Sequence, residues 1–292
     1  MSDYRTLVAA ELGEAVDPQV TAMAQAIAAE YGGAARAVLF YGSCLRQQQL
    51  DGLMLDFYLI VSDYAAAYPK RWLATANRLI PPNVFPFAYN GLAAKYAVLS
   101  ELDFARLTRA DATTVSVWAR FAQPTRLVWV QSEMAHQAAT DAVATSGPTL
   151  FSLAMPLTGS RDPEAIWRAG FAQTYRAELR AERTDRSGSI VDADVPRYQL
   201  FGAAILADGV SCGTDRAAAE RRWAQLQRTG KLASIARLAK ASLTFAGGID
   251  YLAWKINRHA GTQIAIQPWQ RRWPLLGAIM LLPKLLRQGA VR

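Results

Sequence analysis

The sequence predicts an α+β protein in which a mixed sheet flanked by helices is followed by a mainly helical region. Two observations predict the sheet: two apolar runs bounded by turn residues lie within residues 38–61, and further strand-like runs recur up to residue 130. A third predicts the helical region, because the chain becomes rich in alanine beyond about residue 135. With 292 residues, 52% of them hydrophobic, the chain is long enough for two domains and a sizeable core.

Each element follows from local pattern and punctuation. Apolar residues at helical spacing predict helices, and short apolar runs that end at Gly, Pro or Asn predict strands. In chain order we expect a helix over 16–31, strands over 38–41 and 53–61, a helix over 64–79, a strand and turn over 84–91, a strand over 95–100, a helix from Leu102, and a strand over 126–130.

Charge and cysteine content narrow the class of partner and compartment. The formal net charge is +8 and the sequence pI is near 9.7, which favours an anionic partner: a nucleotide, a nucleic acid or an acidic membrane surface. Cys44 and Cys212 cannot form a disulfide framework and fit a reducing compartment. The first residues lack the pattern of a signal peptide, and no run of eighteen apolar residues predicts a spanning helix.

The chemistry is predicted around the turn between the first two strands. Gly42 lets the backbone approach a phosphate closely, and Ser43 offers a hydroxyl and an N–H group to it. Asp56 lies within the next apolar strand, where a carboxylate is costly unless it is paired, hydrogen-bonded or bound to a metal such as Mg²⁺. This order of strand, Gly-Ser turn and strand with an acid is that of the nucleotidyltransferase fold. The generic superfamily has a second acid where this chain has Tyr58, so Asp56 as a capped strand-end carboxylate stays open.

Five segments, taken together and in order, carry a resemblance to a narrower family. They are Tyr41-Gly42-Ser43 with Arg46-Gln47 and Met54-Leu55-Asp56-Phe57; Tyr89-Asn90-Gly91 with Lys95-Tyr96-Ala97-Val98-Leu99-Ser100; Trp118-Ala119-Arg120-Phe121-Ala122-Gln123-Pro124; Thr174-Tyr175-Arg176-Ala177-Glu178-Leu179-Arg180; and Ala241-Ser242-Leu243-Thr244-Phe245-Ala246-Gly247-Gly248 with Tyr251 and Lys255. The pattern resembles the Tam41-type mitochondrial phosphatidate cytidylyltransferases and their bacterial relatives. That family also carries a single Asp where the generic superfamily has two acids.

The chain departs from the family pattern at several positions. Glu178 replaces an aspartate, Ala177 replaces the glycine beside it, and Cys44 stands where the family usually has glycine. These changes leave the identity of the substrate open. The residues after 260 match nothing in the mitochondrial members, which favours a bacterial branch and the cytoplasmic face of an inner membrane.

The resemblance implies transfer of CMP from CTP to phosphatidic acid, giving CDP-diacylglycerol and pyrophosphate. It implies that Gly42 and Ser43 cradle the leaving phosphates, and that Asp56 ligates Mg²⁺ with Glu178 as the second carboxylate. For Glu178 the alternative is a solvated helix charge paired with a neighbouring arginine.

The resemblance also implies a set of cationic residues that bind phosphate. Lys95 and Arg120 would hold the triphosphate or the lipid phosphate; the alternatives are a strand-end lysine in solvent and a buried structural ion pair. The remaining nucleotide-binding candidates are Tyr41, Arg46 and Arg180.

The expected organisation is a nucleotidyltransferase domain over 1–135, a mainly helical domain over 136–248 that completes the cleft, and a basic amphipathic tail over 249–292. Paired tryptophans and arginines in the tail favour a membrane interface, with packing on the protein's own core as the alternative. Two other functions stay open: a nucleotidyltransferase with a different phosphate or protein acceptor, and a non-catalytic nucleotide-binding protein at a membrane. No RNP pattern or helix-turn-helix signature supports a nucleic-acid module, and the sequence does not give the oligomeric state.

Overall fold

The strands and helices are those of a computed structural model, which describes residues 3–42, 44–45, 50, 53–178, 190–210, 215–244 and 267–268. Ten helices and five strands are named here. The helices are α1 Asp3–Leu12, α2 Pro18–Ala29, α3 Tyr64–Ala67, α4 Arg71–Leu79, α5 Glu101–Leu107, α6 Trp118–Phe121, α7 Glu133–Thr158, α8 Pro163–Ala177, α9 Val195–Ala207 and α10 Arg216–Thr244. The strands are β1 Ala35–Tyr41, β2 Met54–Val61, β3 Asn83–Tyr89, β4 Leu92–Ser100 and β5 Thr125–Val130.

The five strands form one mixed sheet in the order β3-β4-β2-β1-β5. Strands β2 and β4 are parallel, and the other three neighbouring pairs are antiparallel. The parallel pair needs a crossover, which α3, α4 and β3 provide. The predicted fold class, a mixed sheet flanked by helices and followed by a helical region, is confirmed.

The sheet separates two apolar cores. Alternate side chains of a strand point to opposite faces, so Tyr58 and Ile60 of β2 pack on one face while Phe57 and Leu59 pack on the other. Helix α2 and the α3–α4 segment cover the Phe57 face. Helices α1 and α5 to α10 cover the Tyr58 face. Because β2 is covered on both faces, it is a nearly continuous apolar run apart from Asp56.

Local sequence explains where several helices begin. The side chains of Asp17, Ser132 and Asp162 accept hydrogen bonds from the first backbone N–H groups of α2, α7 and α8. A proline occupies the first turn of α2 and of α8, where its missing N–H group costs nothing. Helix α7 ends at Gly159, whose φ of 61° is the left-handed conformation that favours glycine.

The structure corrects one predicted element and adds another. The single helix expected over 64–79 is wrong: Pro69 separates α3 from α4, since proline disfavours the helical conformation of the residue before it. Helix α1 was not predicted, and its Tyr4, Val8 and Leu12 belong to the core on the Tyr58 face.

The tail expected over 249–292 lies outside the described residues except for Gln267 and Pro268, so its membrane or core packing stays a prediction. The division at residues 135 and 248 also stays a prediction. No helix in the part of the chain that the structure describes is long and apolar enough to cross a bilayer.

Candidate active site

Asp56 lies in the central strand, in a row of residues that crosses three strands. It is paired with Tyr41 on β1 and with Lys95 on β4. Directly paired residues point to the same face of a sheet, and this is the face covered by α6, α8 and α10. The sheet therefore presents a carboxylate, an ammonium group and a phenol side by side toward the helical layer.

The Asp56 carboxylate packs against the turn that follows β1. Gly42 has a φ of +97°, and a Cβ atom at this position would lie 2.9 Å from Asp56 Oδ2. Position 42 thus needs glycine for two reasons: the backbone conformation is strained for other residues, and the carboxylate occupies the space of a side chain. Gly42 and the Asp56 carboxylate therefore lie against each other at the end of β1.

Lys95 is the ion-pair partner of Asp56. Its Nζ atom lies 2.7 Å from Asp56 Oδ1, and the two side chains are 28% and 17% exposed. Asp56 Oδ1 is shielded from water, and no donor in the described part of the chain meets it with hydrogen-bond geometry. The contact between Lys95 and Asp56 is therefore an ion pair and not a hydrogen bond. Lys95 is thus not simply a lysine in solvent; it neutralises a nearly buried carboxylate.

Arg120 approaches the same acid from α6. Its guanidinium carbon lies 4.8 Å from the centre of the Tyr41 ring, a cation–π distance. Burial disfavours the charged form of Arg120, but Tyr41, Tyr58, Glu178 and Asp56 together outweigh burial and raise its pKa. Its Nε group is shielded from water and has no hydrogen-bond partner among the described residues. Arg120 is therefore permanently charged, with a donor that its described neighbours do not use.

Glu178 follows the last residue of α8 and is half-buried. Its charge acts on Tyr58, Arg120 and Arg237, because each of these has its pKa altered by Glu178. The structure thus brings Glu178 into the electrostatic neighbourhood of Arg120, which Asp56 shares. The role of Glu178 as a metal ligand, and the alternative of a charge paired with an arginine, stay predictions.

Two basic residues of α10 complete the surroundings, and the sequence did not predict them. Arg237 donates from Nε to the carbonyl oxygen of Pro81 at 2.9 Å and from Nη2 to Thr114 Oγ1 at 3.2 Å. Burial lowers the pKa of Arg237, while Glu178 and Tyr58 oppose that shift. Lys240 lies one turn further on, buried, and donates to the carbonyl oxygens of Ile80 and of Pro82, the latter at 2.8 Å.

Lys240 could have been suspected from the sequence, since it directly precedes the last matched segment, which begins at Ala241. Arg237 had no such indication, because α10 contains many lysines and arginines with no distinguishing pattern. Arg237 is distinguished by its hydrogen bond to the loop before β3 together with its interaction with Glu178. We call Asp56, Lys95, Arg120, Glu178 and Arg237 the Asp56 cluster.

The remaining predicted residues are partly outside the described chain. Tyr41 is buried beneath Arg120, and Gly42 contacts Asp56, as given above. Ser43, Arg46 and Arg180 lie outside the described residues, so their phosphate-binding roles stay predictions.

The donor set limits the kind of metal that the cluster could hold. The described ranges contain no group of three or more His, Cys, Asp or Glu side chains arranged to bind a metal. Two carboxylates, Asp56 and Glu178, belong to the Asp56 cluster. Mg²⁺ takes oxygen ligands, retains several waters and uses one or two carboxylates together with substrate phosphates, so the residues present fit Mg²⁺ better than Zn²⁺.

Comparisons with known proteins show a distant likeness among solved structures. No family model matches the chain, and no curated protein matches it. Among the solved structures that match is a nucleotidyltransferase-like protein from Exiguobacterium sibiricum, with 11% sequence identity, a TM-score of 0.30 and 92% of each chain covered. A likeness with that TM-score gives no information about the chemistry of this chain. The function is therefore inferred from the geometry of the Asp56 cluster.

Proposed function

We propose that the protein is a Mg²⁺-dependent nucleotidyltransferase that transfers CMP from CTP to phosphatidic acid. The observation that carries this proposal is the contact between the Asp56 carboxylate and the Gly42 turn, with Lys95 and Arg120 around it. An acid beside a turn that admits close backbone approach, among cations, suits a metal-bound triphosphate. The choice of CTP and phosphatidic acid depends on the family resemblance of the sequence.

In this reaction a phosphate oxygen of the lipid attacks the α-phosphorus of CTP. A bond from that oxygen to the α-phosphorus forms, the bond from the α-phosphorus to the bridging oxygen breaks, and pyrophosphate leaves with the electron pair. No covalent enzyme intermediate is needed, so catalysis consists of positioning and of stabilising negative charge.

The residues of the Asp56 cluster divide this work. Asp56 would hold Mg²⁺, with Glu178 as the second carboxylate; when bound, the ion neutralises charge on the phosphate oxygens. Arg120 presents an unused Nε donor, and a guanidinium can bind a phosphate through two parallel hydrogen bonds. Lys95 pairs with the Asp56 carboxylate and adds positive charge beside the turn. Arg237 adds a second guanidinium near Glu178.

The direct test is turnover by the purified full-length chain. CTP labelled at the α-phosphorus, Mg²⁺ and vesicles containing phosphatidic acid should give labelled CDP-lipid and an equal amount of pyrophosphate. Asp56→Asn should reduce the rate at least ~10³-fold, because the amide cannot replace a carboxylate ligand. Asp111→Asn is the matched control, since Asp111 is exposed and pairs only loosely with Arg109, at 3.5 Å.

The same assay separates the proposal from its alternatives. Pyrophosphate release with a soluble phosphate acceptor but not with phosphatidic acid would show that the enzyme uses an acceptor other than the lipid. CTP binding without turnover on any acceptor would indicate a binding protein. Equal rates for Asp56→Asn and wild type would overturn the proposed role of the cluster.

A further inference from the structure

Helix α4 presents an apolar stripe to the outside of the protein. Trp72 is 47% exposed and Leu79 is 74% exposed. Seven residues in an α-helix are about 20° short of two turns, so these two side chains lie on one side of α4. The buried residues of α4 are Ala74 and Asn77, on the opposite side. The outward face of a surface helix is normally polar, so a tryptophan and a leucine there need an explanation.

Basic residues flank this stripe, and acidic residues are absent from the surrounding chain. Lys70, Arg71 and Arg78 are all exposed. Between Asp63 and Glu101 the sequence contains no aspartate or glutamate. Arg71 and Arg78 are also seven residues apart and therefore form a second row beside Trp72 and Leu79. The outer surface of α4 thus combines an apolar row with a cationic row.

One loop connects helix α4 with Arg237 of the Asp56 cluster. Its last residue, Leu79, is followed by the loop Ile80–Pro82, whose carbonyl oxygens accept hydrogen bonds from Arg237 and Lys240 of α10. Arg237 in turn interacts electrostatically with Glu178, Tyr58 and Arg120. Helix α4 covers the face of the sheet opposite to that of the Asp56 cluster, and the Ile80–Pro82 loop links a ligand surface on α4 to the residues proposed to bind phosphate.

We propose that α4 is a docking helix that seats the protein on an anionic lipid bilayer, with Trp72 and Leu79 in the interface and Lys70, Arg71 and Arg78 on lipid phosphates. Tryptophan beside aliphatic and basic residues is the composition of helices that lie in a membrane interface. The inference depends on the proposed function only for the idea that the acceptor lies in that bilayer. It is independent of the tail over 249–292.

Two other occupants fit the surface less well. A second copy of the chain that paired through α4 would place Lys70, Arg71 and Arg78 against their own equivalents, and like charges at an interface are unfavourable. A nucleic acid would use the basic row through its phosphates, but it gives an exposed leucine no apolar partner. An anionic bilayer satisfies both rows at once.

The test is flotation of the full-length protein with vesicles, without nucleotide. Vesicles of phosphatidylcholine mixed with phosphatidylglycerol should bind the protein, and added salt should weaken that binding. Trp72→Ser/Leu79→Ser should weaken partitioning about tenfold or more. Arg71→Gln/Arg78→Gln should weaken it about 30-fold on anionic vesicles, at roughly fivefold per charge. Leu102→Ser is the matched control, since Leu102 is 78% exposed but lies on α5.

Several results would overturn the docking helix. Partitioning of Trp72→Ser/Leu79→Ser equal to that of Leu102→Ser would do so. So would self-association, measured by light scattering, or binding to a single-stranded RNA, measured by anisotropy, that the double substitution abolishes while vesicle binding is unchanged.

The experiments can reject the docking helix and the proposed function independently of each other. CTP binding by Trp72→Ser/Leu79→Ser should equal that of the wild type, which also shows that the variant is folded. Conversely, Asp56→Asn should lose turnover while it partitions onto vesicles like the wild type. A chain that binds vesicles through α4 but never turns over CTP would support the docking helix and reject the proposed reaction.

Discussion

Asp56 and Lys95 face each other on the parallel strands β2 and β4, and their side chains form an ion pair with 2.7 Å between Oδ1 and Nζ. The pair explains how a carboxylate is tolerated in a strand that is otherwise apolar. It also fixes the direction of the carboxylate, whose other oxygen, Oδ2, lies against Gly42. The strongest predictions concern this arrangement.

Gly42→Ala should remove activity more than it removes stability. The new Cβ would lie 2.9 Å from Asp56 Oδ2 and would displace the carboxylate from the turn. We expect kcat/KM to fall at least ~100-fold and the free energy of unfolding to fall by about 1–2 kcal/mol. Steady-state kinetics and urea unfolding measure the two effects.

Gly91→Ala is the matched control for that substitution. Gly91 also has a positive φ, of +81°, but a Cβ there would meet nothing within 4 Å. It should show a similar loss of stability with activity near the wild-type value. Equal losses of activity in both variants would mean that backbone strain, and not the position of Asp56, causes the effect.

Lys95→Met should leave Asp56 without its counter-charge. Because both side chains are less than one-third exposed, we expect a loss of about 1–2 kcal/mol in the free energy of unfolding. The rate should fall by about two orders of magnitude, and Lys95→Arg should restore part of it. Lys231→Met, an exposed lysine on α10, should change neither quantity; a similar effect there would point to loss of general positive charge.

Arg120→Lys should lower activity with little loss of stability. Lysine keeps the positive charge that the neighbouring phenols and carboxylates favour, and the Nε donor that it removes has no partner in the described chain, so we expect stability to change little. Lysine cannot form the two parallel hydrogen bonds of a guanidinium, and we expect kcat/KM to fall ~10–100-fold. Kinetics and urea unfolding of the same preparation would be compared.

Arg197→Lys is the contrasting substitution. Arg197 also packs over an aromatic ring, 4.2 Å from the centre of Phe201, but it is paired with Glu11 far from the Asp56 cluster. Here stability should fall and the rate should not. If Arg120→Lys behaves like Arg197→Lys, then Arg120 has a structural role.

Lys240 should give the protein a stability that rises with pH. Burial, with a smaller contribution from Arg237, lowers the pKa of Lys240 from 10.5 to about 7. Between these two values the unfolded chain binds a proton that the folded chain does not, so deprotonation favours the folded state as pH rises. The slope from this residue has an upper limit of about 1.4 kcal/mol per pH unit.

Urea unfolding at several pH values from about 7 to about 9 measures that slope. Lys240→Met should flatten it, and Lys231→Met should leave it unchanged. If the slope of Lys240→Met equals that of the wild type, the lysine is accommodated in its buried position without a depressed pKa.

The strands were predictable because their information is local. β2 and β4 are apolar runs bounded by turn residues, and each was expected at nearly its observed place. Asp56 was conspicuous for the same reason, since a single acid in such a run is unusual. The contact between Asp56 and Gly42 depends only on two neighbouring strands and the turn that leads from the first of them.

The helical side of the site was harder to predict because its information is non-local. Arg237 reaches the cluster only through the packing of α10 on the loop at Pro81, more than 150 residues earlier in the chain. Nothing in the sequence near Arg237 marks that contact, and α10 has basic residues on many sides. Tertiary contacts between distant segments are not encoded in hydrophobic periodicity.

The hydrogen bonds from α10 to the Ile80–Pro82 loop have a consequence for the order of events during translation. A nascent chain can complete the five strands once Val130 has left the ribosome, but Arg237 is made more than 100 residues later. The sheet can therefore exist with its acid in place before its last guanidinium arrives. Competence for chemistry would then be acquired only after Arg237 has been made, when α10 docks on a sheet that is already complete.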